Sequence, residues 1–150
     1  MDTRDTVALT GNLTISLNGE VVKKVNNLVV AAGKNWVASR MQGVSAGVMT
    51  HMAIGTGTTA AASGNTGLGT EAARVALTTS GGSVSGSVVT FTATIPADTP
   101  NVTAPATAAI TEAGVFNASS SGTMLCRTVF GVVNKGELDT MTISWEITIS

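Results

Sequence analysis

The sequence predicts a mainly β protein, an antiparallel β-sandwich of jelly-roll-like form with one short helix. Apolar and polar residues alternate along several stretches, which is the pattern of half-buried strands. Clusters of glycine, asparagine and serine separate these stretches, as expected for about eight to ten short antiparallel strands. The 150 residues show no repeat and no break in composition. We therefore expect one domain, residues 1–150, that begins with an N-terminal arm of about residues 1–10.

Two hairpins are predicted from turn chemistry. Residues 6–30 hold evenly spaced apolar residues on both sides of Asn18-Gly19, a pair that tolerates the positive φ angles of a type I′ turn. A second hairpin is expected from strands at 72–79 and 84–95, joined at "SGG".

Residues 33–42 predict the single helix, because their apolar residues follow an i, i+4 period and a glycine comes next, where a helix ends. Val37 and Met41 are expected to cover one end of the sheet. Lys34 and Arg40 are expected in solvent.

The C-terminal stretch has the cleanest strand pattern in the chain. Met141 to Ile149 alternate apolar residues with threonine, serine and glutamate. The segment 96–107 holds all three prolines and so cannot be an interior strand.

A short strand at 48–54 leads into a long loop at 55–67, rich in glycine, threonine and alanine. Its "GTGTTAAASGNTG" run lacks the Gly-Lys-Ser/Thr ending of a phosphate-binding loop. A flexible connector or an interface arm is therefore favoured over a phosphate site.

Composition disfavours several classes of function. Charged residues are 11% of the chain and the formal net charge is −1, so we expect no nucleic-acid partner. No apolar stretch looks like a spanning helix, and the N-terminus has no secretory h-region, so we expect no membrane partner. Aromatic residues are 3%, which disfavours a large ligand pocket, and the protein is expected not to be an enzyme.

The single cysteine and the single histidine predict no cofactor and no structural zinc site. Cys126 lies in an alternating apolar run and is interpreted as a small core residue rather than a nucleophile paired with His51. His51 is interpreted as a hydrogen-bonded core or interface residue, with pH sensing at a subunit contact as the alternative.

Glu112 and Arg127 are two charges in an otherwise apolar hairpin, "ITEAGVFNASSSGTMLCRTVF". If residues 118–121 form the turn, the antiparallel count sets Glu112 directly opposite Arg127. A turn longer by one residue would put Arg127 on the other face of the sheet. A structural or interface ion pair is favoured over a catalytic acid, because a glycosidase needs a second carboxylate and none has a placed partner.

Several segments resemble a group of small tailed-bacteriophage structural proteins: "HMAIGTGTTAAA", "LGTEAARVALTT", "VVTFTATIPA", the hairpin above and "VNKGELDTMTISWEITIS". The likeness covers roughly residues 48–150, and "NLVVAAGKNWVASRM" is similar to the helix that precedes it. Glu112 to Phe116 match the family's Glu-Ala-Gly-Val/Leu-Phe run, and Leu125 to Val129 match its apolar-Arg strand. Cys126 departs from the small residue that is usual there.

The resemblance implies a β-rich virion component, either a head decoration (cement) protein or a part of the tail, collar or fibre. We expect a decoration protein that binds and stabilises the assembled head. Its expected partners are the major capsid protein and copies of itself, with which it forms a homotrimer. Its expected location is the virion. A carbohydrate-binding module is the alternative of another class, with only Trp36 and Trp145 as aromatic platforms. The candidate interface residues come from the arm and the long loop: Asp2, Thr3, Arg4, Asp5, Thr56, Thr58, Thr59 and Asn65.

Overall fold

The computed structural model describes residues 5–43, 47–103 and 106–150. In these residues nine strands form one antiparallel sheet that curls into a half-barrel, in the order β4-β3-β7-β8-β2-β1-β9-β6-β5, with one helix. The prediction of a mainly β, antiparallel protein with one helix is confirmed. The elements are β1 Leu9–Leu17, β2 Glu20–Val29, α1 Ala31–Met41, β3 His51–Gly55, β4 Glu71–Ala76, β5 Ser83–Ser85, β6 Val88–Ile95, β7 Thr107–Phe116, β8 Met124–Gly136 and β9 Met141–Ile149.

The sheet has two parts that meet along a very short ladder. β2 and β8 pair only at Leu28 with Arg127 and at Val29 with Cys126. Beyond these pairs the strands diverge, and the Thr128 hydroxyl donates to the Asn26 carbonyl at 2.8 Å. The sheet therefore bends at this ladder. One part consists of the four strands β4-β3-β7-β8 and the other of the five strands β2-β1-β9-β6-β5. Apolar side chains of both parts lie in one core.

Both parts of the sheet supply the core, and the alternating apolar residues of β1, β6 and β9 form one side of it. Trp145 is fully buried and lies opposite Leu13 on one side and Phe91 on the other. β3 and the adjoining parts of β7 and β8, residues 110–116 and 124–130, are buried on both faces, because a second cluster covers their outer side. That cluster includes Phe116, with Leu68 of the long loop packed against it.

The first hairpin is confirmed, and its turn residues Asn18 and Gly19 have φ angles of 52° and 86°. β1 begins at Leu9, and Ala8 exchanges two backbone hydrogen bonds with Ser150. The sheet therefore includes the last residues of the stretch that the sequence assigns to an N-terminal arm.

The helix is confirmed and contacts the sheet through Gly33, Trp36 and Val37. A Cβ at Gly33 would overlap the Leu125 backbone, so only glycine lets the helix approach so closely. Lys34 is exposed, as predicted. The prediction for Met41 is wrong, since its side chain is 86% exposed. Met41 lies in the last turn of the helix, where no described residue covers it.

The second predicted hairpin is wrong. β4 pairs with β3, whereas β6 pairs with β9 and with the short β5, through a turn at Gly86. Between β4 and β5 the chain crosses from one part of the sheet to the other, and Thr78 N donates to Thr92 O on the way. Gly81 and Gly82, with φ angles of 81° and 74°, redirect the chain instead of closing a hairpin.

Candidate functional site

Glu112 on β7 and Arg127 on β8 lie on the outer face of the sheet, under the long loop. The turn between these strands is one residue longer than predicted, since Asn117 N donates to Thr123 O. A β-bulge at Val115/Phe116 adds a second shift, so Glu112 lies opposite Val129. Two shifts of one residue restore the original face, so Glu112 and Arg127 become diagonal neighbours.

The two side chains form a buried salt bridge. Arg127 donates to Glu112 Oε2 through Nη2 at 2.7 Å and through Nε at 3.0 Å. The side chains are 2% and 0% exposed. Charges tolerate such burial only when they are paired and their remaining hydrogen-bonding positions are filled.

The long loop fills the remaining positions on the carboxylate. Three backbone N–H groups donate to Glu112: Gly57 and Thr70 to Oε1 at 2.9 and 2.7 Å, and Gly69 to Oε2 at 2.9 Å. Thr111, next to Glu112, also donates its hydroxyl to the Gly57 carbonyl at 2.7 Å. The carboxylate therefore binds both ends of the loop.

Arg127 binds the middle of the same loop. Its Nη2 donates to the Thr59 carbonyl at 3.0 Å, and its Nη1 donates to Asn65 Oδ1 at 2.9 Å. Asn65 Oδ1 also accepts from Ala62 N at 2.8 Å, which closes a small turn at the tip of the loop. One ion pair thus organises the chain from residue 56 to residue 70.

Glycines let the loop reach the ion pair. A Cβ on Gly57 would overlap Glu112 Oε1, and a Cβ on Gly55 would lie 2.6 Å from the same atom. Gly64 and Gly67, in the same loop, have open space at that position. The irregular glycine spacing of this segment is explained in part by packing against a carboxylate.

The pKa of Glu112 lies below its usual range. Burial by itself would raise it, but hydrogen bonds from the Thr70 and Gly69 amides, from Arg127 and from the Gly57 amide outweigh burial. The group is thus a carboxylate at neutral pH. Both oxygens face protein donors and no surface is exposed to solvent, so Glu112 has neither the access nor the raised pKa of a general acid.

Arg74 is a second organising cation, and its role is not predicted from the sequence. Its guanidinium lies 3.7 Å from the centre of the Phe116 ring and makes a two-bonded fork with Glu71 at 2.7 and 2.8 Å. Nη1 donates to the carbonyls of Ala118 and Ser121 in the β7–β8 turn. The i, i+3 spacing of Glu71 and Arg74 is the only sequence signal, and it does not predict the turn contact.

The candidate interface residues divide into three groups. Thr56, Thr58 and Thr59 are exposed on the outside of the loop, and Asp5 is also exposed. Asn65 is half-buried and turns its amide oxygen inward to Arg127. A further three lie outside the described residues: Asp2, Thr3 and Arg4.

The other residues with reactive groups have structural surroundings. Cys126 is fully buried, and burial raises the pKa of its thiol. His51 is half-buried, and its Nδ1 lies 2.7 Å from the Thr50 hydroxyl. Lys135, whose burial is not predicted from the sequence, donates from Nζ to the Pro96 carbonyl at 2.8 Å. Burial lowers the pKa of Lys135, opposed by two nearby aspartates.

No protein-family model, no curated protein and no solved structure matches this chain. Within the described ranges, no three histidine, cysteine, aspartate or glutamate side chains lie close enough together to hold a metal ion. Over the same ranges, no helix is long and apolar enough to cross a membrane.

Proposed function

We propose that this chain is a non-enzymatic structural protein of a bacteriophage virion, and that it decorates and stabilises the assembled head. The observation that carries the proposal is the clamped loop: the two buried charges of the outer face are used to hold residues 56–70 against the sheet. Charges placed in this way serve architecture, since both side chains are closed to solvent and bonded to the loop.

The clamped loop supports a role in binding other subunits. Its outer side presents exposed threonine, alanine and serine residues and no charge between residues 56 and 70. Charged residues are depleted from the centres of protein interfaces. A surface loop that is already ordered also loses less conformational entropy when it binds, which favours affinity.

The mechanism we propose is linkage between binding and assembly. A protein that binds the assembled shell better than free capsid subunits shifts the equilibrium toward the intact shell. Self-association as a homotrimer would multiply weak contacts into firm attachment. Asp5, Thr56, Thr58 and Thr59 are the exposed candidates for these contacts.

We also propose that the two parts of the sheet act as the two layers of a sandwich. The two-pair ladder between β2 and β8 and the single shared core support that description. The carbohydrate-binding alternative loses one of its two aromatic platforms, because Trp145 is fully buried.

The test is the copy number of this chain relative to the major capsid protein in purified particles, measured by quantitative mass spectrometry. A number comparable to the capsid subunits is expected. A handful of copies would move the protein to the tail, collar or fibre, and complete absence from particles would refute a virion role.

The contact surface is tested by capsid binding of a Thr56→Asp/Thr58→Asp variant, with Thr142→Asp on β9 as a control. The loop variant is expected to lose binding and the control to keep it. Equal binding by both would remove the loop from the interface.

A further inference from the structure

A cavity lies between the clamped loop and the buried ion pair. Its volume is about 470 Å³, which is within the range of about 300 to 1,000 Å³ that is usual for ligand pockets. We call it the loop cavity. Arg127 lines it together with residues of the loop, which include Thr59, Gly64, Asn65, Thr66 and Gly67.

Arg127 keeps one hydrogen-bond donor that the protein does not use. A guanidinium group has five N–H donors. Nε and one N–H of Nη2 donate to Glu112, the other N–H of Nη2 donates to the Thr59 carbonyl, and one N–H of Nη1 donates to Asn65. The second N–H of Nη1 has no acceptor among the described residues. A ligand in the loop cavity that accepts from this N–H would satisfy a donor on a side chain that is 2% exposed.

The loop backbone adds further donors to the lining of the cavity. The N–H groups of Thr66, Gly67 and Leu68 have no acceptor in the part of the chain that the structure describes. The next two amides in the chain, Gly69 and Thr70, donate to Glu112. The free N–H groups of the loop cavity therefore suit a ligand that presents acceptors.

Two glycines of the cavity lining are not required by the packing of the protein. A Cβ on Gly64 or on Gly67 would meet no protein atom within 4 Å. Neither residue has a positive φ angle, so the backbone conformation does not require glycine either. Glycine is also used where a backbone approaches a ligand closely. The loop cavity is the place where these two glycines permit such an approach.

The charge balance of the loop cavity selects the chemistry of its ligand. Arg127 is the one charged side chain among the described residues that line it, and Glu112 already neutralises that charge. An anion would therefore gain little net attraction. An uncharged acceptor loses less hydration free energy on burial than an anion does. The uncharged acceptor that a protein partner presents most often is the amide carbonyl, since every residue carries one.

We propose that the loop cavity binds an amide carbonyl of a partner protein, which accepts from the free N–H of Arg127 and from the loop amides of residues 66–68. The carbonyl belongs to the main chain of the partner or to an asparagine or glutamine side chain. This proposal deepens the proposed function and rests on it only for the identity of the partner, because the clamped loop is the surface proposed to contact other subunits. The ion pair then holds the loop and also presents one donor to the partner.

The test is an NMR titration of the full chain, without capsid, with three blocked peptides: acetyl-Ala-Ala-Ala-amide, acetyl-Ala-Gln-Ala-amide and acetyl-Ala-Glu-Ala-amide. The glutamine and glutamate peptides have nearly the same shape and differ in charge. Saturable shifts at millimolar peptide are expected for the backbone amides of Thr66, Gly67 and Leu68 and for the side-chain N–H signals of Arg127.

The comparison of the three peptides identifies the acceptor. Equal binding of all three would assign the contact to a main-chain carbonyl, and a preference for the glutamine peptide would assign it to a side-chain amide. Both results support the proposal. Tighter binding of the glutamate peptide would show an anion site and would overturn it, and so would the absence of saturable shifts at these positions with every peptide.

Two variants test whether the peptide occupies the loop cavity. Gly67→Val and Gly64→Val each add a side chain to the lining at a position where no protein atom opposes it, so both are expected to fold and to lose peptide binding. Gly47→Val is the matched control, because Gly47 also has open space at its Cβ and does not line this cavity. Undiminished binding by both cavity variants, or equal loss of binding in the control, would overturn the proposal. These outcomes are independent of the copy number in particles, which tests the proposed function.

Discussion

Replacing Glu112 with glutamine and Arg127 with methionine, singly and together, tests whether the two side chains act as a coupled clamp. Both substitutions preserve most of the side-chain volume. They change charge and hydrogen bonding at a site that is closed to solvent. The free energy of unfolding is therefore expected to respond mainly to the lost electrostatic contacts.

The magnitude follows from the contacts of Glu112 Oε2. This oxygen accepts from Gly69 N and from two nitrogens of Arg127. An amide nitrogen in its place would face three donors and leave Arg127 buried without a counter-charge. Removing one partner of a buried pair costs about 3 to 5 kcal/mol, and we expect that loss for Glu112→Gln and also for Arg127→Met.

The double variant leaves no buried charge unpaired. Its loss of stability is expected to be smaller than the sum of the two single losses by about 1 to 3 kcal/mol, the usual size of a coupling energy between contacting residues. The assay is urea unfolding at pH 7, followed by fluorescence of the buried Trp145.

Glu146→Gln is the matched control, since it makes the same chemical change at an exposed position of β9. It is expected to change stability by less than about 0.5 kcal/mol. If the loss of unfolding free energy in the double variant equals the sum of the two single losses, the two residues stabilise the fold independently. Single variants as stable as the control would show that the pair does not hold the loop.

Three further predictions concern the loop, the charge of the clamp and the second cation. Gly57→Ala is expected to displace the loop and lower the free energy of unfolding, because its Cβ would overlap Glu112. Gly64→Ala has open space at its Cβ and is expected to be neutral or to stabilise by up to about 1 kcal/mol. Thermal unfolding and limited proteolysis measure both variants. The pKa of Glu112 is lowered in the folded protein, so its contribution is complete above the unfolded value of about 4.3 and is lost as the pH falls through the folded value. Glu112→Gln should lack this acid-side loss in a pH series of urea unfolding. Arg74→Lys is expected to lower stability by about 1 to 3 kcal/mol and to speed hydrogen exchange in the β7–β8 turn, whereas Glu71→Gln, at a partly exposed carboxylate, should cost less than about 1 kcal/mol.

Each of these predictions has a contradicting result. Equal proteolysis of Gly57→Ala and Gly64→Ala would mean that the loop does not need its close approach to the carboxylate. A Glu112→Gln variant with the same acid-side slope as the wild type would assign that slope to other carboxyl groups. Unchanged exchange in the β7–β8 turn of Arg74→Lys would show that the two carbonyl contacts do not order it.

The register of the β7–β8 hairpin is a feature that the sequence does not predict correctly. A direct antiparallel count sets Glu112 opposite Arg127, but the structure has a longer turn and a bulge, which together shift the register by two residues. Bulges depend on how neighbouring strands and loops pack, so a local pattern does not predict them. The side chains still share a face because two is the period of a strand.

The partner of β4 shows the same limit. "SGG" followed by alternating residues is typical of a hairpin, yet β4 pairs with β3 across the clamped loop. The competing turns at Gly82 and Gly86 are equally plausible in sequence, and the choice between them depends on strands distant in the chain.

By itself the sequence determined the features that depend on neighbouring residues: the Asn18-Gly19 hairpin, the helix after β2 and the inward face of the last strand. Turn chemistry and the period of apolar side chains depend on neighbouring residues, so both can be predicted from the sequence without knowledge of the fold. Only the tertiary structure decided that residues 56–70 are held by a buried ion pair and that Arg74 binds the β7–β8 turn. Those features join residues tens of positions apart, and their energies exist only after the chain has brought them together.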